Sequence, residues 1–91
     1  MWIRSQDKKQ LVNANELYIA TRSTGYCIST GKGNDLASYL SGEKAIKVLD
    51  MIQDFEIRHQ ANLLLAIYQE SNDNAEENMV FQMPLDSEVE V

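Results

Sequence analysis

The stretch SGEKAIKVLDMIQDFEIRHQANLLLAIYQE, Ser41 to Glu70, decides the fold, because it reads as one long amphipathic helix. At about 100° per residue, Ala45, Val48, Leu49, Ile52, Phe55, His59, Leu63, Ala66 and Ile67 fall on one apolar stripe that needs a core to pack against. Ser41 is placed to cap the helix N-terminus, Glu43 sits where the helix dipole favours an anion, and no Pro or Gly interrupts the run from Glu43 to Glu70. Ser71-Asn72-Asp73-Asn74, whose short polar side chains compete for backbone hydrogen bonds, sets the expected end, giving a helix over 42–70.

A second stripe runs roughly 120° away, through Ile46, Ile57, Ala61, Leu64 and Tyr68, and Leu65 widens it. A helix of about 28 residues is roughly 42 Å long. A compact domain of this size has a radius of gyration near 12 Å, so the helix overshoots its own domain. The expectation is a homo-oligomer, a dimer or larger, with Ile57, Ala61, Leu64, Leu65 and Tyr68 at the interface. The alternative is a break near His59-Gln60 and a helical hairpin within one chain.

Outward from the helix, the chain before it reads as short strands. Trp2–Ser5 and Gln10–Asn13 flank a polar turn, and Glu16–Ala20 and Tyr26–Thr30 flank Thr21-Arg22-Ser23-Thr24-Gly25. Leu36–Leu40 follows Gly31-Lys32-Gly33-Asn34-Asp35, a connection rich in residues that tolerate positive φ. Beyond the helix, Asn72–Asn78 is an acidic linker, Met79–Met83 is a last strand that Pro84 terminates, and residues 85–91 read as a disordered acidic tail. The expected fold is α+β: a single domain over residues 1–84, with strands within 2–40 and 79–83 forming a small antiparallel sheet of five to six strands packed on one long helix. A strand tethered past a long helix is also well placed to join the sheet edge of a neighbouring subunit.

Composition limits the chemistry. One cysteine (Cys27) and one histidine (His59) allow neither an internal disulfide nor a zinc site built from Cys and His in one chain. No apolar run is long enough to span a membrane, so a cytoplasmic protein is expected. The net charge of −6 is divided unevenly: residues 1–34 carry five basic and two acidic side chains, whereas residues 35–91 carry three basic and twelve acidic ones. An anionic ligand therefore belongs to the first third of the chain, while direct binding of DNA or RNA is opposed by the overall charge and by the lack of a continuous basic patch.

Several residues are candidates for chemistry. Arg4, Gln6, Lys8 and Lys9 crowd the first hairpin, and Arg offers a bidentate fork for phosphate. With Trp2, Tyr18 and Tyr26 available for stacking, a small anionic nucleotide is a feasible ligand, and Arg4, Gln6, Arg22, Tyr26 and Arg58 are the candidate binding residues. Against this, charges at a hairpin tip are usually a solvated turn and Trp2 is usually core. Gly31-Lys32-Gly33 lacks the spacing of a phosphate-binding loop and joins two strands, so it reads as a hairpin turn. His59 lies on the main apolar stripe with no Ser or Cys spaced to pair with it, and Glu43, Asp50, Asp54 and Glu70 read as a solvated face with a supporting Glu43–Lys47 pair. No catalytic residue, metal site or cofactor is expected, and the chain is not read as an enzyme.

The opening Met1-Trp2-Ile3-Arg4-Ser5-Gln6-Asp7-Lys8-Lys9 with Leu11-Val12-Asn13, the helical Glu43-Lys44-Ala45 with Val48-Leu49-Asp50-Met51-Ile52-Gln53, and the late Val80-Phe81-Gln82-Met83-Pro84 resemble a family of small proteins found in Firmicutes genomes and their phages. Such proteins are similar in kind to phage counter-defence proteins such as the Thoeris anti-defence sponges. The resemblance implies an oligomer that sequesters a nucleotide-type immune signal in the cytoplasm of a bacterial host without cleaving it. No ligand residue of that family is carried over to a position here. The alternative is an acidic inhibitor that imitates nucleic-acid charge on a basic host effector, as some anti-CRISPR proteins do.

Overall fold

A computed structural model describes residues 1–69 and 80–91, with the helix beyond His59 described as backbone only. Among the described residues, six strands and one long helix follow in order: β1 (Trp2–Arg4), β2 (Leu11–Asn13), β3 (Leu17–Arg22), β4 (Gly25–Thr30), β5 (Asp35–Tyr39), α1 (Gly42–Gln69) and β6 (Val80–Gln82), then a 3-10 turn at Asp86–Glu88. The α+β class is as the helical stripe and the short alternating strands require.

The strands do not form one antiparallel meander. They divide into two three-stranded sheets, ordered β2-β1-β6 and β3-β4-β5. The hairpin β1–β2 has Ile3 opposite Val12, and β6 adds parallel to the other edge of β1 with Ile3 opposite Phe81. A parallel neighbour needs a long crossover connection. The stretch between β1 and β6, which contains α1, provides it. Ala14-Asn15-Glu16 turns the chain out of the first sheet, and β3 opens the second.

Neither sheet could bury its face alone. They share one core in which Ile3, Phe81 and Met83 from the first sheet and its exit meet Ile28, Leu36 and Tyr39 from the second. The helix contributes Ala45, Val48 and Ile52 to this core, with Leu49 and Phe55 half-buried beside them. Ser41 caps the helix as expected: its hydroxyl accepts from the Lys44 N–H at 3.2 Å. The helix is continuous past His59, so the alternative hairpin is not formed. The protein measures 48 × 27 × 19 Å with a radius of gyration of 14.2 Å. Its long axis suits the roughly 42 Å that 28 helical residues span.

The segment after Pro84 corrects a second expectation, because it is docked rather than disordered. Val89 is buried in the core. Asp86 accepts from the Leu40 N–H at 2.8 Å and from Lys44 Nζ at 2.9 Å, which pins the segment to the start of the helix. The Tyr39 hydroxyl donates to the Pro84 carbonyl at 2.7 Å, and burial holds that phenol well above its ordinary pKa. An acidic composition reads as solvated; the missed signal is Val89, an apolar residue set among charges.

Ile3 is fully buried at the middle of the middle strand of the first sheet. Ile3→Ala should cost about 2–5 kcal/mol, a large part of the 5–15 kcal/mol typical of a small domain. Urea denaturation would show this as a lower midpoint with an unchanged slope.

Candidate functional site

The five candidate binding residues sit on different elements: Arg4 on β1, Gln6 just past it, Arg22 on β3, Tyr26 on β4 and Arg58 on α1. Arg4 lies on β1 with its side chain exposed, and its guanidinium donates to the Lys8 carbonyl at 3.5 Å. Cross-strand partners share a face of a sheet, so Trp2, Arg4, Leu11, Asn13, Val80 and Gln82 lie on the side opposite buried Ile3. Trp2 is 46 % exposed and Leu11 48 %, which makes this an open, partly apolar sheet face around one arginine. Trp2 is therefore not core. The period of two that exposes Arg4 also exposes Trp2, and this signal was present in the sequence.

Gln6 is committed to the fold. Its backbone N–H donates to the Leu36 carbonyl at 2.8 Å, and its side-chain oxygen accepts from the Ser38 N–H at 3.1 Å. Its side-chain nitrogen donates to the carbonyls of Ser38 and Pro84, at 3.1 and 3.2 Å. Every polar group of the side chain is thus spent on holding the end of β1 against β5. The rest of the β1–β2 turn is organised by a carboxylate: Asp7 accepts from the Ser5 hydroxyl at 2.5 Å and from the Lys9 N–H at 3.0 Å. These bonds hold its pKa below the usual 3.8, the Ser5 hydroxyl contributing most. Lys8 takes positive φ in this turn. A carboxylate at its centre makes the tip a structured turn rather than a purely cationic cradle.

Arg22 ends β3 and pairs with Asp35 at the start of β5, at 3.3 Å. Asp35 also accepts from the Ser29 hydroxyl, and that bond, followed by Arg22, lowers its pKa. Asp35 in turn raises that of Arg22. Tyr26, on β4, is 37 % exposed and lies beside Gly42 at the start of the helix. Arg58 is exposed on the helix, remote in the chain from all of these. Of the expected interface residues, Ile57 is 59 % exposed, as the second stripe requires, while the side chains of Ala61, Leu64, Leu65 and Tyr68 lie outside the described residues.

A cleft of about 640 Å³ contains none of the five. It runs between the end of β2 and the β4–β5 turn and is lined by Asn13, Asn15, Glu16, Thr30, Lys32 and Asn34 among others. Gly31-Lys32-Gly33 is the hairpin turn expected: Gly33 has a φ of +83°, and its N–H donates to the Thr30 carbonyl at 2.8 Å. Its lining mixes the charged Glu16 and Lys32 with the Thr30 hydroxyl, asparagine amides and the apolar Val12 and Ala14. Among the described residues no three acidic, His or Cys side chains converge to hold a metal ion. His59 stacks on Phe55, ring centroids 6.5 Å apart, and Phe55 meets Phe81 edge-on at 5.4 Å. Among the described residues no helix is long and apolar enough to cross a membrane. Comparison with models of known families, with curated proteins and with solved structures returned no match.

Two outcomes follow from this geometry. Gln6→Ala strips bonding partners from Ser38 and Pro84 and should cost about 1–3 kcal/mol. Gln6→Glu should not restore it, because a carboxylate cannot donate to the two carbonyls; urea midpoints of both variants check this. Asp7, Asp35 and Asp86 all titrate below 3.8 when folded. Each contributes stability that is present above that value and lost as pH falls through the depressed one. The urea midpoint should therefore drop as pH falls below about 4, and less steeply in an Asp35→Asn/Asp86→Asn double variant.

Proposed function

We propose that this chain is a non-catalytic binding protein that works as an assembly of identical copies and sequesters a small anionic nucleotide-type ligand, as a counter-defence protein in the cytoplasm of a bacterial host. The observation that supports this best is the open face of the first sheet, where Trp2 and Arg4 lie two residues apart on one side of β1. An exposed indole offers a stacking surface and a guanidinium not paired with any carboxylate among the described residues offers a phosphate fork. Trp2, left out of the sequence-based set, thus joins Arg4 as the pair on which the reading rests, and Gln6 leaves it. A flat face covers one side of a ligand. A second copy would have to cover the other, and the exposed Ile46 and Ile57 on the helix supply apolar surface for assembly.

The second reading, an acidic inhibitor of a basic effector, is favoured by a different observation. Glu43, Asp50 and Asp54 are all exposed, and their helical positions put them on one side of α1.

The two readings predict opposite electrostatics. Light-scattering mass of the purified protein, with heat-released material identified by mass spectrometry, should return an oligomer and an intact nucleotide. Arg4→Ala or Trp2→Ala should weaken binding of that nucleotide about 10- to 100-fold, the loss expected for a charged hydrogen bond or a stacked base. The triple variant E43Q/D50N/D54N should leave it unchanged. Loss of activity in the triple variant, with none in Arg4→Ala, would select the acidic inhibitor.

A further inference from the structure

The outer edge of β3 has no partner among the described residues, and its backbone pattern says what would fit it. The two-residue turn Ser23-Thr24 closes β3 on β4 through Arg22 and Gly25. The bonded pairs of the ladder are therefore Arg22 with Gly25, Ala20 with Cys27 and Tyr18 with Ser29. The N–H and C=O groups of Leu17, Ile19 and Thr21 point the other way, and among the described residues no backbone group bonds them. Exposed edges are usually blunted by Pro, Lys or a bulge. Leu17-Tyr18-Ile19-Ala20-Thr21-Arg22 contains neither residue and pairs with β4 without a register shift.

We infer that this edge is an interface for a second copy of the chain, β3 pairing antiparallel with β3 about a two-fold axis at Ile19, so that two three-stranded sheets become one continuous sheet. The strand is self-complementary in this register and in no neighbouring one. With the axis at Ile19, Ile19 meets its own counterpart and Leu17 meets Thr21, so every outward N–H faces an outward C=O. Moving the axis to Tyr18 leaves the groups of Thr21 over, and moving it to Ala20 leaves those of Leu17. The register at Ile19 also sets exposed Glu16 opposite Arg22 at both ends of the pairing and Tyr18 opposite the small Ala20. Shifting to Tyr18 puts Glu16 opposite Ala20, and shifting to Ala20 puts Tyr18 opposite Arg22. Arg22 already holds Asp35, and its remaining guanidinium donors are available for Glu16. Leu17 and Ile19, half-buried on the core side, gain cover from the same pairing. This interface is independent of the ligand reading and chemically distinct from the apolar stripe of the helix.

The test uses the full chain and the variant Thr21→Pro. Proline removes an N–H that points away from β4, so the internal ladder is kept, and far-UV circular dichroism should be unchanged. At tens of micromolar, the light-scattering mass of Thr21→Pro should be half that of the parent. By NMR, the amides of Leu17 and Ile19 should be protected from hydrogen exchange in the parent and lose that protection in the variant. A second variant, Glu16→Arg, sets like charges opposite each other at both ends. It should weaken the association about tenfold, with partial recovery at high salt. Leu17 and Ile19 amides that exchange in the parent at the rate of free amides, a folded Thr21→Pro of unchanged mass, or a Glu16→Arg of unchanged affinity would each overturn the inference.

Discussion

The side chain of Gln6 spans the gap between the two sheets, and the rest of the molecule depends on that span. It lies where β1 ends, and it bonds the backbone of β5 at Ser38 and the carbonyl of Pro84 just past β6. Three segments far apart in the chain are thus held by one amide, whose donor and acceptor both match what an open strand edge presents. Three-stranded sheets of three to six residues bury too little apolar surface to stand alone. Joined by Gln6 and covered by the helix, they enclose Ile3, Ile28, Tyr39 and Val48 in one core.

That arrangement decides which parts of the surface are left for work. The β5 edge is closed by Gln6, the free edge of β1 by β6, and the helix start by the docked segment around Asp86. Among the described residues, the surfaces left open include the outer face of the first sheet with Trp2 and Arg4, the outer edge of β3, and the side of the helix with Ile46 and Ile57. The cleft near the β4–β5 turn is open and of mixed lining, and lies apart from these surfaces.

Much of this was legible in the sequence. The helix was readable because its period of 3.6 persists through two turns of buried Ala45, Val48 and Ile52, and Ser41 marks its start with a side chain that caps. The strands were readable in place but not in partnership, since pairing is settled by contacts distant in sequence. Nothing local to Val80-Phe81-Gln82 says that it lies parallel to Trp2-Ile3-Arg4. The binding residues were the least legible. Arg and Gln look alike as ligands in a sequence, whether they face solvent, as Arg4 does, or staple a fold, as Gln6 does. Only the backbone groups around them separate the two cases.

The claim that the two sheets form one cooperative unit through Gln6 is tested most directly by native-state hydrogen exchange across a urea series. The amides of Gln6, Ser38 and Met83, bonded across the sheet junction and along β1, are predicted to merge with the Cys27 amide of the β3–β4 pair into one isotherm that matches global unfolding. Exchange of Gln6, Ser38 and Met83 through a separate opening of lower free energy, with Cys27 still protected, would contradict the account and make the first sheet an independently opening layer.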